Sequence, residues 1–199
     1  MKGSLALKTA PTEEPVTTAL VKAHMRVDIS DDDTLIGTLA KAARRWIENL
    51  TGIRMVTQTW NYYLDAFPCE NVIKIPIGPV SAVSSVKYTN AAGTVSTLSA
   101  ASYVVDLVSL PARIVIKDGY AWPAEVLQVV NGVNIEFVAG YGAAAAVPEE
   151  LALAVKELAA YWYENREAAA GAVGSTDVKE LPFSISSLLS DFTMHQRER

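Results

Sequence analysis

The stretch DDDTLIGTLAKAARRWIENLTGIRMVTQTWNYYL, residues 31–64, changes its hydrophobic period once, and that change decides the fold class. Over its first half, Leu35, Leu39, Ala42, Trp46 and Leu50 recur at helical spacing, with Ile36, Ala43 and Ile47 beside them. A repeat of that period and length predicts an amphipathic helix over 31–51. Asp31, Asp32 and Asp33 stand at its positive end, where carboxylates complement the helix dipole. Gly52 follows where a left-handed cap is expected. Lys41, Arg44, Arg45 and Glu48 are assigned to the opposite, polar face. Beyond Gly52 the period drops to two: Trp60, Tyr62 and Leu64 alternate with Asn61 and Tyr63, the pattern of a strand with one buried face.

Working outward from this stretch, Pro15-Val16-Thr17-Thr18 supplies an N-cap, Thr17, for a short helix near 17–25. On the other side, Ile73, Ile75 and Ile77 alternate with Lys74 and Pro76, and Val133, Ile135 and Phe137 alternate with Asn134 and Glu136. Asn90-Ala91-Ala92-Gly93 reads as a hairpin turn between 86–88 and 95–98, and Arg113 to Lys117 as another short strand. Pro148, Glu149 and Glu150 open a third helix over 148–167, with Leu151, Val155, Leu158 and Trp162 along one face. A small-residue linker occupies 168–176, and an apolar run from Leu181 to Phe192 precedes a polar end.

The order helix, helix, β, helix predicts an α+β fold. It has a small helical core (helices near 17–25, 31–51 and 148–167), an inserted, mostly antiparallel β-unit and an extended C-terminal tail. The expected organisation is one domain over 1–199: helical core at 15–54 and 148–170, β-unit at 55–142, linker and C-terminal segment at 171–199.

Composition narrows the function. The chain has 199 residues, half of them hydrophobic, enough for a real core. A formal net charge of −5 argues against tight, non-specific DNA binding, which needs a basic face, yet suits a wall that DNA slides past. One cysteine, Cys69, allows neither an internal disulfide nor a cysteine-based zinc site. No secretory leader is read at the N-terminus, and the apolar runs break well short of membrane-spanning length, so no membrane is expected.

Chemistry is sparse. The histidines are His24, on a short amphipathic helix, and His195, in a polar tail. Neither suggests a nucleophile–base pair. The run at 31–33 lacks the spaced oxygens of a calcium loop and reads as helix-dipole and capping acids. Gly140-Tyr141-Gly142 lacks the Gly-Lys-Ser/Thr ending of a phosphate cradle and reads as a strand exit. Glu149, Glu150, Glu157, Glu164 and Glu167 read as solvated helix acids. The expectation is no catalytic residue, no metal, no cofactor and no enzymatic activity. Two rivals stay open: a small-ligand or carbohydrate-binding module using Trp60, Tyr62 and Tyr63 of the β-unit, and a hydrolase built on His24.

Several segments taken in order carry a resemblance. They are Leu7-Lys8-Thr9-Ala10-Pro11, Pro15-Val16-Thr17, Ala23 to Asp28, Gln58-Thr59-Trp60, Trp122-Pro123-Ala124, Ala139-Gly140-Tyr141-Gly142 and Trp162 to Glu167. Together they resemble the phage and prophage head–tail connector (adaptor, head-completion) family, including the adaptors of gene transfer agents, over residues 7–192. The resemblance implies a structural subunit of a virion or virion-like particle, assembled in the bacterial host cytoplasm. It implies a ring, typically of twelve copies, docked beneath the portal protein. The ring would extend the DNA channel and meet the next head-completion or tail-terminator protein. Double-stranded DNA would pass through without sequence-specific binding. No catalytic residue is carried over. From the residues themselves, Phe183, Ile185, Leu188, Leu189 and Phe192, with Arg197 and Arg199, are candidates for docking on the portal, because a linker isolates that apolar run; the alternative is that it packs back on its own helices. Lys41, Arg44, Arg45 and Glu48 are candidates for lining the channel.

Overall fold

The computed structural model describes residues 3–165 and 183–192. The chain divides into two compact units. A helical unit holds Glu13–Val56 and the described part of Gly142–Thr193. A β-unit holds the described part of Met1–Thr12 together with Thr57–Tyr141.

In the helical unit, α1 spans Thr18–Met25. Thr17 caps it, its hydroxyl accepting from Leu20 N at 3.3 Å, and Arg26 ends it in the left-handed region. Helix α2 runs Asp33–Thr51 and stops at Gly52, whose φ of 77° is one that glycine adopts without strain. Helix α3 runs Glu149–Glu164, with Pro148 at its N-cap and two glutamates in its first turn. Helices α1, α2 and α3 pack pairwise on one another. Their core includes Val21, Ile36, Ala43, Ile47, Leu151, Val155 and Leu158.

The face that α2 turns inward differs from the one its strongest apolar periodicity marks. The buried residues are Ile36, Ala40, Ala43, Arg44, Ile47, Glu48 and Thr51. Leu35, Trp46 and Leu50 stay 36%, 36% and 45% exposed. The helix carries two apolar stripes, and its own unit covers the one expected to be the flank. Arg44 and Glu48, assigned from sequence to the polar face, lie inside because they neutralise each other there.

The C-terminal apolar run, read as an extended tail, is helical over its described part. Helix α4 spans Phe183–Leu189, and a 3-10 turn follows at Ser190–Phe192. Helix α4 packs on α3 and buries Ile185 and Leu189. The expected linker at 168–176 lies outside the described residues.

Among the described residues the β-unit has eight strands: β1 Ser4–Thr9, β2 Gln58–Leu64, β3 Val72–Lys74, β4 Val80–Thr89, β5 Val95–Thr97, β6 Tyr103–Asp106, β7 Arg113–Ile116 and β8 Val133–Ala139. They form a five-stranded sheet ordered β1-β2-β8-β4-β5 and a three-stranded sheet ordered β3-β7-β6. Every pairing is antiparallel. The alternation read from sequence sets the register. Tyr62 pairs with Ile135 and Leu64 with Val133, so their side chains share the buried face with Phe137, Val86, Ile75 and Ile114. The Asn90 turn forms as read: its Oδ1 accepts from Ala92 N and Thr94 N, and Gly93 takes φ 83°. Gly132 marks a close approach, since a Cβ there would sit 2.5 Å from the Asp65 carbonyl oxygen. Strand β1 was not anticipated, because Leu5 and Leu7 alone give too short an alternation; it adds to the sheet by pairing with β2.

Candidate functional site

The charged residues singled out on α2 separate into two groups. Arg44 donates through Nε to Glu14 Oε2 at 2.6 Å and through Nη1 to Glu48 Oε2 at 2.9 Å. The other Glu48 oxygen accepts from Met55 N at 3.0 Å. Arg54 Nη1 donates to the Glu48 carbonyl oxygen at 2.7 Å. Burial pulls the Arg54 pKa below its ordinary value, and the Glu48 carboxylate opposes that shift. This network ties the entry segment at Glu14, the middle of α2 and the turn after it into one piece. Sequence reasoning missed its members Glu14 and Arg54, and only the spacing of Arg44 and Glu48, one helical turn apart, hinted at it. Lys41 and Arg45 are exposed. Of the four candidates, those two present charge to solvent.

The C-terminal candidates also divide. Ile185 and Leu189 are buried against the helical unit, while Leu188 and Phe192 are half-buried. The side chain of Phe183, and Arg197 and Arg199 altogether, lie outside the described residues.

Other regions hold no converging chemistry. His24 is exposed. Among the described residues, no cluster of three or more His, Cys, Asp or Glu side chains has metal-holding geometry. No described helix is long and apolar enough to cross a membrane. In the β-unit, Tyr62 points into the core, where burial raises its pKa, and Trp60 packs against the same core and donates to Gln58 Oε1 at 3.0 Å. Tyr63 is left alone on the opposite side, so the three aromatics make no shared stacking platform. A cleft of about 570 Å³ at Tyr62, Cys69, Glu70 and Lys74 is open to solvent. The ligand-binding rival gains no support from it.

One exposed segment is held rigidly from behind. Trp122 stacks on Phe67 with ring centroids 4.9 Å apart and donates to the Glu70 carbonyl oxygen at 2.9 Å. Ala91 N donates to Val126 O, Gln128 N to Thr89 O, and Asn131 N to Asp65 Oδ1. So anchored, the segment presents Val126, Val129 and Val130 at 78%, 89% and 63% exposure.

Two compact units with a mutually neutralised charge network and prominent apolar surface fit an assembly module, a protein whose surfaces are its working parts. Residues 17–108 match the family model described as phage gp6-like head-tail connector protein. Over that stretch, a little under half of the chain, the protein is similar to the phage head–tail connector family, and its role is that of a structural connector. Solved structures agree across nearly the whole chain. A chain from "Virion of native gene transfer agent (GTA) particle" is 24% identical with a TM-score of 0.76, over 95% of this chain and 94% of that one. A chain from "Neck of empty GTA particle computed with C6 symmetry" is 25% identical with a TM-score of 0.72, over 96% and 95%. One from "Neck of native GTA particle computed with C12 symmetry" is 26% identical with a TM-score of 0.70, over 96% and 94%. Comparison with curated proteins gives no match.

Proposed function

We propose that this chain is the ring-forming adaptor of a phage, prophage or gene-transfer-agent particle, seated at the head–tail junction. The observation that carries the reading is the near-complete structural overlap, at 25% and 26% identity, with chains of particle necks treated with C6 and C12 symmetry. Twelve copies would form a ring below the portal protein and extend the DNA channel. The far side of the ring would receive the next head-completion or tail-terminator protein. Double-stranded DNA passes through the lumen without sequence-specific contacts; a chain with net charge −5 suits a wall that does not hold it. Lys41 and Arg45, the exposed pair on α2, are the residues assigned to the lumen. Leu188, Phe192 and the residues beyond them are assigned to portal docking. The work is mechanical and needs no catalytic group.

The test is deletion of the gene in a particle-producing strain, followed by electron microscopy. DNA-filled or leaking heads without tails, restored by returning the gene, are expected. Normal tailed particles would refute the reading.

A further inference from the structure

We infer that the uncovered apolar stripe of α2 is where a helix of the neighbouring copy packs in the ring. Leu35, Leu39, Ala42, Trp46 and Leu50 follow one another at steps of four, three, four and four residues. Such spacing makes a seam of knobs whose complement is a second helix. The seam is about 22 Å long at 1.5 Å per residue. The described structure covers it only in part: Leu35 and Trp46 are 36% exposed and Leu50 45%, Ala42 is exposed and Leu39 half-buried.

The placement of three faces around one helix points to the occupant. Ile36, Ala40, Ala43 and Ile47 face the unit's own core. Lys41 and Arg45, with Thr38, are exposed on a polar face. The seam lies roughly a quarter of a turn from each, at about 100° of rotation per residue. If the polar face looks into the lumen, the core lies behind it on one side and the seam points sideways, where a closed ring puts the next copy. The seam carries no charged side chain, so it does not fit DNA. It exposes roughly 300 Å² of apolar surface, counting a third to a half of each large side chain. That falls short of the ~800 Å² per partner that holds a standard interface alone. The contact is therefore weak between free copies and fixed when the ring closes. This inference rests on the ring reading above.

The test uses assembled particles. Full-length chain carrying the photocrosslinker benzoylphenylalanine in place of Leu50 is incorporated together with 15N-labelled wild-type chain, and necks are analysed by mass spectrometry. The expected product is an isotopically mixed dimer whose adduct maps to helical-unit peptides. Adducts to a different neck protein only, or none in necks that hold several copies, would overturn the inference while leaving the ring standing. Necks with a single copy would overturn both. As a second measurement, Trp46→Glu is expected to lower incorporation into particles at least tenfold while the purified chain keeps its helical circular dichroism and melting profile. Undiminished incorporation would count against the seam.

Discussion

Glu48→Ala removes a carboxylate that faces two buried arginines, Arg44 and Arg54. In the folded chain Glu48 is 3% exposed, Arg44 7% and Arg54 5%. The change leaves Arg44 with Glu14 alone, takes from Arg54 the Glu48 charge that opposes its desolvation and leaves Met55 N–H without its acceptor. Breaking a buried pair from one side costs about 3–5 kcal/mol, because the remaining cation stays out of water. For a chain of this size that is a fall in Tm of about 6–20 °C. The assay is thermal and urea unfolding followed by far-UV circular dichroism, dominated by the helical unit, with the near-UV signal of the aromatic side chains in both units recorded alongside. The replacement of both partners, Arg44→Met with Glu48→Met, serves as the control. It removes the charges together, and Glu14, with 23% of its side chain exposed, can return to water. The unpaired Met55 N–H remains, so the double variant should lose only about 1–3 kcal/mol. A loss below about 1 kcal/mol for Glu48→Ala, or a double variant worse than the single, would refute the reading of the network as a desolvated, mutually neutralised group.

Other outcomes follow from the same structure. Ile185→Ala should destabilise the helical unit by about 2–5 kcal/mol in urea unfolding, because Ile185 is 1% exposed; a neutral result would place α4 outside the core. The carboxyl of Asp106 is held well below the usual aspartate range by the hydrogen bond from Ser109 Oγ, then by Arg113, with Ser109 N and Val108 N adding to it. A depressed folded value means its stabilisation is complete above the ordinary aspartate range, shrinks as pH falls below it and vanishes once pH passes the lowered value. Asp106→Asn should therefore lower Tm at neutral pH and approach wild type in strong acid; a gap that widens on acidification would contradict the assignment. Trp122→Ala should speed amide exchange across residues 123–131 about tenfold, since the Phe67 stack and the bond to Glu70 anchor that segment; unchanged protection would show the backbone bonds suffice.

The sequence by itself determined the parts whose signals are local. Thr17 and Gly52 mark helix ends because a cap needs one hydroxyl or one residue free to take positive φ, whatever else surrounds it. The alternation at 60–64 and 133–137 fixed two strands, because a one-residue slip would turn their whole apolar set outward. The family resemblance, a matter of ordered segments, was likewise legible in the chain. Three things were decided only by tertiary structure. Strand β1 exists because β2 offers it an edge, and two leucines could not announce that. The C-terminal run is helical and buries Ile185 and Leu189 because α3 lies beneath it. The inward face of α2 turned on a pairing invisible in hydrophobicity: Arg44 and Glu48 can enter the core once Glu14 and Met55 N meet them, and their entry rotates Leu35, Trp46 and Leu50 out to solvent. A helix with two apolar stripes leaves its choice of core face to its neighbours, since periodicity counts apolar positions while burial depends on which polar ones find partners.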